Sequence, residues 1–280
     1  MTRQLPNPAF HFFTSISLLL FSCLSANAQQ GATGNSPQPV VVVPAPEPQP
    51  QAQDPLYPAA TKPSSTALLL PRNRVHWGVD LNVTSQYIWR GFQANSTPSL
   101  QPNLWISYRG FTVSSWSNLA RRGPNGQQWT EHDLTVDYSR TLTRKFSWSA
   151  GYINYVFPDL ASGDVANEFY GGLRYDGKVS AGLKVFQNAG LSTGTYFQGN
   201  VGKSFPLGET VSLTTSFAVG YNRKMFIPVA TFSDAVGSVA VSFPLGSRMR
   251  IAPNVNFSKS LDRGYFRNQW FGGVTISFSR

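Results

Sequence analysis

Asn268 to Arg280 reads NQWFGGVTISFSR. Trp270, Gly272, Val274, Ile276 and Phe278 fall on one face of an extended chain and Phe271, Gly273, Thr275 and Ser277 on the other, the period of two that a strand requires. Such a strand leaves an unpaired edge unless another strand covers it, and the first strand-like run, Val75 to Trp89, is the natural partner. The spacing therefore predicts the closing stave of an antiparallel transmembrane β-barrel.

Composition agrees with that reading. The 280 residues include 23 Lys and Arg against 13 Asp and Glu, with 7 Trp, 11 Tyr and 20 Phe, so charge is scarce and aromatics abundant for a soluble domain. Outside the N-terminal region no apolar run reaches the ~18 residues of a helical span, whereas a barrel conceals its hydrophobicity in alternation. The basic residues are spread over predicted loop tips rather than gathered in a patch, which argues against nucleic acid as a partner.

Three segments are expected. Residues 1–28 read as a secretory signal, with Arg3 as the positive region, Ile16 to Leu24 as the apolar region and Ala26-Asn27-Ala28 as the small-residue cleavage pattern. Leu20-Phe21-Ser22-Cys23 only faintly matches a lipoprotein box. The single cysteine, Cys23, would leave with the signal. Residues 29–71 carry ten of the chain's 20 prolines and read as a disordered, extended periplasmic linker. It either tethers the barrel to peptidoglycan or an envelope protein, with Val40 to Val43 as a docking strand, or is a plain spacer. Residues 72–280 form the barrel.

From Val75 onward alternation recurs in twelve runs, giving an all-β, twelve-stranded antiparallel transmembrane barrel preceded by the disordered Pro-rich segment. Short turns such as Arg109-Gly110 and Asp176-Gly177 alternate with longer loops. The sharpest contrast lies in the fourth run, where Glu131, Asp133, Thr135 and Asp137 oppose His132, Leu134, Val136 and Tyr138. Alternation blurs in the fifth run, at Ile153. Every even-numbered run ends in an outward aromatic, namely Tyr108, Tyr138, Tyr175, Phe205, Phe243 and Phe278, which reads as a periplasmic aromatic girdle. A soluble β-sandwich has no reason to place aromatics at six equivalent ends.

Ser85-Gln86-Tyr87-Ile88-Trp89-Arg90-Gly91, followed by Pro98 and Gln101, resembles the opening signature of bacterial outer-membrane proteins of the TorF or Gcw-chp porin type. Gly151-Tyr152-Ile153-Asn154-Tyr155, Phe157-Pro158 and Glu168-Phe169-Tyr170-Gly171 resemble its later blocks, so the likeness covers roughly Val75 to Phe205. It implies an outer-membrane barrel and brings no catalytic residue with it.

No catalytic, metal or cofactor motif emerges. His132 and Asp133 are adjacent but point to opposite faces, and no nucleophile elbow or phosphate-cradling glycine loop is present. Parity instead predicts lumen-facing Asp80, Glu131, Asp133, Asp137, Glu168 and Asp234 against Arg174, Lys178, Lys184 and Arg250. These charges either line a pore or form an ion-paired lattice that plugs it.

The leading expectation is a passive porin for small solutes. The alternative is a closed structural or adhesive envelope barrel that works through its loops and tether. Expected partners are outer-membrane lipid, lipopolysaccharide and the barrel assembly machinery. Long loops holding Arg90, Arg121, Arg122, Arg223, Lys224, Arg263 and Arg267 should lie at the cell surface, giving the mouth an anion-attracting bias. Both termini should be periplasmic. On whole cells, cysteine at Asn125 should therefore react with an impermeant thiol reagent while cysteine at Asn35 should not; the reverse pattern would invert the topology.

Overall fold

The structure, a computed structural model, describes residues 74–121, 127–158, 165–190 and 192–280. The expected signal (1–28) and linker (29–71) lie outside the described residues. So do Arg122, Asn125 and the other loop residues in the gaps.

Fourteen strands follow in order: β1 (His76–Thr84), β2 (Tyr87–Trp89), β3 (Phe92–Asn95), β4 (Ser99–Tyr108), β5 (Phe111–Arg121), β6 (Gln127–Thr141), β7 (Phe146–Val156), β8 (Val165–Asp176), β9 (Ser180–Ala189), β10 (Thr195–Pro206), β11 (Ser212–Arg223), β12 (Ala230–Leu245), β13 (Met249–Ser260) and β14 (Gln269–Ser279). β1 and β4 to β14 close into a twelve-stranded barrel, while β2 and β3 pair only with each other. Closure is the antiparallel pairing of β1 with β14, from Gly78 opposite Ser279 to Thr84 opposite Gly273. Trp77 and Arg280 extend that ladder by exchanging backbone hydrogen bonds of 3.0 and 2.9 Å.

The outer face is apolar because alternate residues have no protein to pack against. Val79, Leu81, Leu134, Val136, Leu183 and Val255 are all exposed. Aromatic pairs bracket this band. At the short-turn end Phe111 lies 4.6 Å from Tyr138, Phe146 lies 5.2 Å from Tyr175 and Trp77 lies 5.4 Å from Phe278. At the long-loop end Trp270 lies 4.6 Å from Phe257, and Phe232 lies 5.1 Å from Tyr221. An apolar belt between two aromatic rings on a closed ladder is the exterior of an outer-membrane-type barrel.

Two sequence-based expectations change. The first run does not extend from Val75 to Trp89: β1 ends at Thr84, and the chain turns inward to make the β2–β3 hairpin. At its tip Arg90 and Gly91 have φ of 44° and 86°, the left-handed pair of a tight hairpin turn, and only Gly91 adopts it without strain. Arg109 and Gly110 make the same kind of turn, with φ of 51° and 91°, between β4 and β5. The second change lies at Asp176, which pairs with Ser180 so that the hairpin loop holds three residues and β9 starts later than Lys178.

Closure by β1 and β14 makes the barrel all-or-none. Deleting Trp270 to Arg280 would leave β1 and β13 with open edges in lipid, where each unsatisfied backbone group costs several kcal/mol. The truncated chain should fail to reach the membrane fraction; normal insertion would contradict the closure.

Candidate functional site in the barrel lumen

The loop-end half of the lumen is occupied by the β2–β3 hairpin. Tyr87, Ile88 and Trp89 are all buried, as are Arg90 and Asn95. Tyr87 and Trp89 join Trp116 (β5), Phe186 (β9), Tyr196 (β10) and Met225 in one apolar cluster, with Phe92, Ala94, Tyr170 and Phe226 against it. Met225 and Phe226 come from the β11–β12 loop. Phe266, from the β13–β14 loop, packs 4.8 Å from Phe92. Three loops thus fold over the lumen from the same end.

Arg90 sits at the centre of this packing, and its placement is a correction. The sequence put it in a surface loop contributing to a basic mouth; it is 6% exposed inside the barrel. Its guanidinium donates through Nη1 to Glu168 Oε2 at 2.8 Å and through Nη2 to Glu168 Oε1 at 2.9 Å, a bidentate pair. Rings of Phe186, Trp89 and Tyr196 lie 4.1, 4.5 and 4.6 Å from its Cζ. Tyr155, from β7, donates its hydroxyl to Glu168 Oε1 at 2.9 Å and so fixes the carboxylate from the wall side. Such a pair is retained only where bidentate geometry and added hydrogen bonds offset the cost of removing both charges from water.

The aromatic row that receives the hairpin is set by register. Gly151, Tyr170, Phe186, Tyr196 and Asn222 are successive cross-strand partners on β7 to β11, all on the inner face. A Cβ at Gly151 would overlap the Tyr170 ring, so glycine there lets Tyr170 lie across the strand and donate to Asp137 Oδ2 at 2.6 Å. Tyr196 donates to Asp234 Oδ1 at 3.2 Å. Ile153, where alternation blurred, is inward and buried with Tyr155, Phe157 and Ala166. A lumen that holds an aromatic hairpin can take apolar side chains at that height, and this ends the polar-in rule there.

The other predicted charges lie elsewhere on the inner wall. Asp80 accepts from Asn103 Nδ2 at 3.2 Å across β1 and β4. Glu131 and Asp133 are both 2% exposed on β6, and Asp133 lies within electrostatic range of Glu168. Arg174 pairs with Asp176 of its own strand at 2.7 Å. Arg250 donates to Ser242 Oγ at 2.8 Å near the turn end. Lys184 sits over Tyr170 and Phe186, 5.1 and 5.7 Å from their ring centres. Lys178 does not face the lumen: it is exposed in the β8–β9 turn, because β9 begins two residues later than alternation suggested. The buried ion pair joins the wall to the hairpin.

Sequence reasoning missed Arg90, Tyr155, Trp116, Phe186 and Tyr196. The available signal was a loop, Tyr87 to Phe92, with three aromatic residues around an Arg-Gly turn, opposite inward aromatics on several strands. It also missed an outer-face contact of 2.7 Å between Ser117 Oγ and His132 Nδ1. Ser117 and His132 are direct partners in the β5–β6 ladder, where backbone amides are committed to strand pairing rather than aimed at a reacting group. His132 also packs against Trp129, with ring centres 5.3 Å apart and the rings tilted. Among the described residues no group of His, Cys, Asp or Glu is arranged to hold a metal ion.

These features define a β-barrel of the outer-membrane type whose lumen is half filled by its own first loop. Residues 73–236 match the family described as "Bacterial protein of unknown function (Gcw_chp)", and the chain belongs to that family. No curated protein matches it in sequence. Similar solved structures include the NanC porin, at 10% identity and TM-score 0.49 over 71% of this chain and 98% of that one. The KdgM porin gives 15% identity and TM-score 0.49 over 72% and 98%. Outer membrane phospholipase A from Escherichia coli gives 12% and 0.44 over 72% and 89%. The barrel assignment itself stands on the closed ladder.

Removing either partner of the buried pair should be costly. Arg90→Ala and Glu168→Ala are each expected to lower the unfolding free energy by roughly 3–5 kcal/mol. The double variant should lose distinctly less than the sum, because the two side chains share one interaction. Urea unfolding of the refolded barrel followed by tryptophan fluorescence measures all three; additive losses would show that the pair does not act as a unit.

Proposed function

We propose that this protein is an outer-membrane channel for small polar solutes, with its β2–β3 hairpin as the constriction and both termini at the periplasmic end. The supporting observation is the divided lumen. Toward the turn end the inner wall of β7 to β11 carries small polar or charged residues such as Ser149, Gly172, Lys184, Asn200 and Ser216, all partly exposed. Toward the loop end the wall is aromatic and buried. A polar, solvent-reached half-barrel leading to one narrow, charge-bearing obstruction is a channel architecture. The TorF-type porin resemblance agrees with this reading.

The loop-end surface is basic, with Arg121, Arg223, Lys224, Lys259, Arg263 and Arg267 exposed, and suits the phosphates of lipopolysaccharide. Insertion would depend on the barrel assembly machinery. The segment 29–71 would reach toward peptidoglycan or an envelope protein. A second reading, a closed barrel that serves structure or adhesion through its loops, is favoured by the apolar cluster around Trp89 and Trp116, which excludes water from the loop-end half.

Planar-bilayer recording separates the two. The wild-type barrel should give small, resolvable steps, and replacing Tyr87 to Asn95 with a short Gly-Ser linker should enlarge them several-fold. Silence from the wild type with large steps from the variant would favour the closed barrel; silence from both would overturn the channel reading.

A further inference from the structure

We infer that the Arg90 pocket is a recognition site for guanidinium-bearing solutes, filled in the resting barrel by the protein's own arginine. The inference deepens the channel reading, on which its biological meaning rests. Its basis is that the walls and the occupant belong to different parts of the molecule. Glu168, Tyr155, Phe186 and Tyr196 stand on β8, β7, β9 and β10, whereas Arg90 and Trp89 belong to a hairpin that pairs with no barrel strand. If the hairpin leaves, the carboxylate and two of the three ring faces remain, and Tyr155 still holds Glu168 Oε1 at 2.9 Å.

The chemistry of the walls names the ligand class. A carboxylate presenting both oxygens matches the planar fork of a guanidinium, and aromatic faces 4.1 to 4.6 Å from its carbon match a delocalised, weakly hydrated cation. A compact ammonium ion would keep the charge attraction but lose the fork, so it should bind less well. Anions are disfavoured, because the pocket's own charge, once Arg90 is displaced, is the Glu168 carboxylate.

The hairpin that carries the resident side chain pairs with no barrel strand. Arg90 holds a φ of 44°, a left-handed conformation that L residues rarely adopt, and the hairpin it caps has strands of only three and four residues. A free guanidinium that takes the carboxylate removes the ionic anchor of that short hairpin.

The full-length barrel, refolded in detergent micelles, provides the test with methylguanidinium as probe and sodium chloride at equal ionic strength as control. Titration calorimetry of Arg90→Ala should show saturable binding, weaker by about tenfold or more in wild type, where Arg90 competes. Adding Glu168→Gln to Arg90→Ala should weaken binding by about tenfold or more, the loss of a charge-assisted pair. No saturable binding to Arg90→Ala, or equal binding with and without Glu168, overturns the inference and leaves Arg90 a structural latch. Should Arg90→Ala fail to fold, the measurement moves to an otherwise wild-type chain carrying Cys23→Ser and Ala94→Cys. Methylguanidinium should accelerate thiol labelling of Cys at that hairpin position, methylammonium should do so less, and an unchanged rate overturns the inference. A pocket that binds in a barrel that never conducts sustains the site and removes the channel reading; a conducting barrel with a non-binding pocket does the reverse.

Discussion

Everything in this molecule depends on one requirement: backbone polar groups that face lipid must be satisfied within the protein. The pairing of β1 with β14 meets it by joining the two edges of the sheet, residue for residue from Gly78 to Thr84. Once the ladder is closed, the pleat assigns each side chain to lipid or lumen. The outer set is constrained to be apolar with aromatic ends. The inner set carries no such constraint.

The inner hairpin uses that freedom in an unusual way. A loop rich in tyrosine, tryptophan and phenylalanine has no lipid to face, so it buries its rings against Trp116, Phe186 and Tyr196 inside the barrel. This moves apolar surface out of water and carries Arg90 with it. Burying a guanidinium would be prohibitive alone. The bidentate partner at Glu168, the ring faces and the Tyr155 hydroxyl together make it tolerable. The result specifies one position of the hairpin, since no other register would put the cation against its carboxylate.

Twelve strands enclose a lumen between the small barrels filled by side chains and the large porins with open channels. Here the difference is filled from within by a loop. A fold does not dictate what such a lumen does, and many unrelated activities share a barrel. The discriminating chemistry is local: which residues the hairpin covers, and what charge is left beneath it. Glu131 and Asp133 on β6 and Glu168 on β8 are the buried carboxyl groups of that region, set against the basic loop-end exterior.

The number of barrel strands, their faces and the two kinds of connection could be read from the chain alone, because strand periodicity is a local property that lipid enforces at every outward position. The run from Asn268 to Arg280 and the aromatic ends from Tyr108 to Phe278 carried that reading. Boundaries depend on more than periodicity: the fate of Lys178 turned on whether the turn is Asp176-Gly177 or the three residues between Asp176 and Ser180. The inward turn after Thr84 lay beyond any local pattern, since Tyr87-Ile88-Trp89 alternates well enough to continue a strand. Only the tertiary structure decided that Arg90 meets Glu168, 78 positions away, because a lumen juxtaposes side chains from every strand around the barrel and sequence spacing says nothing of what lies across it.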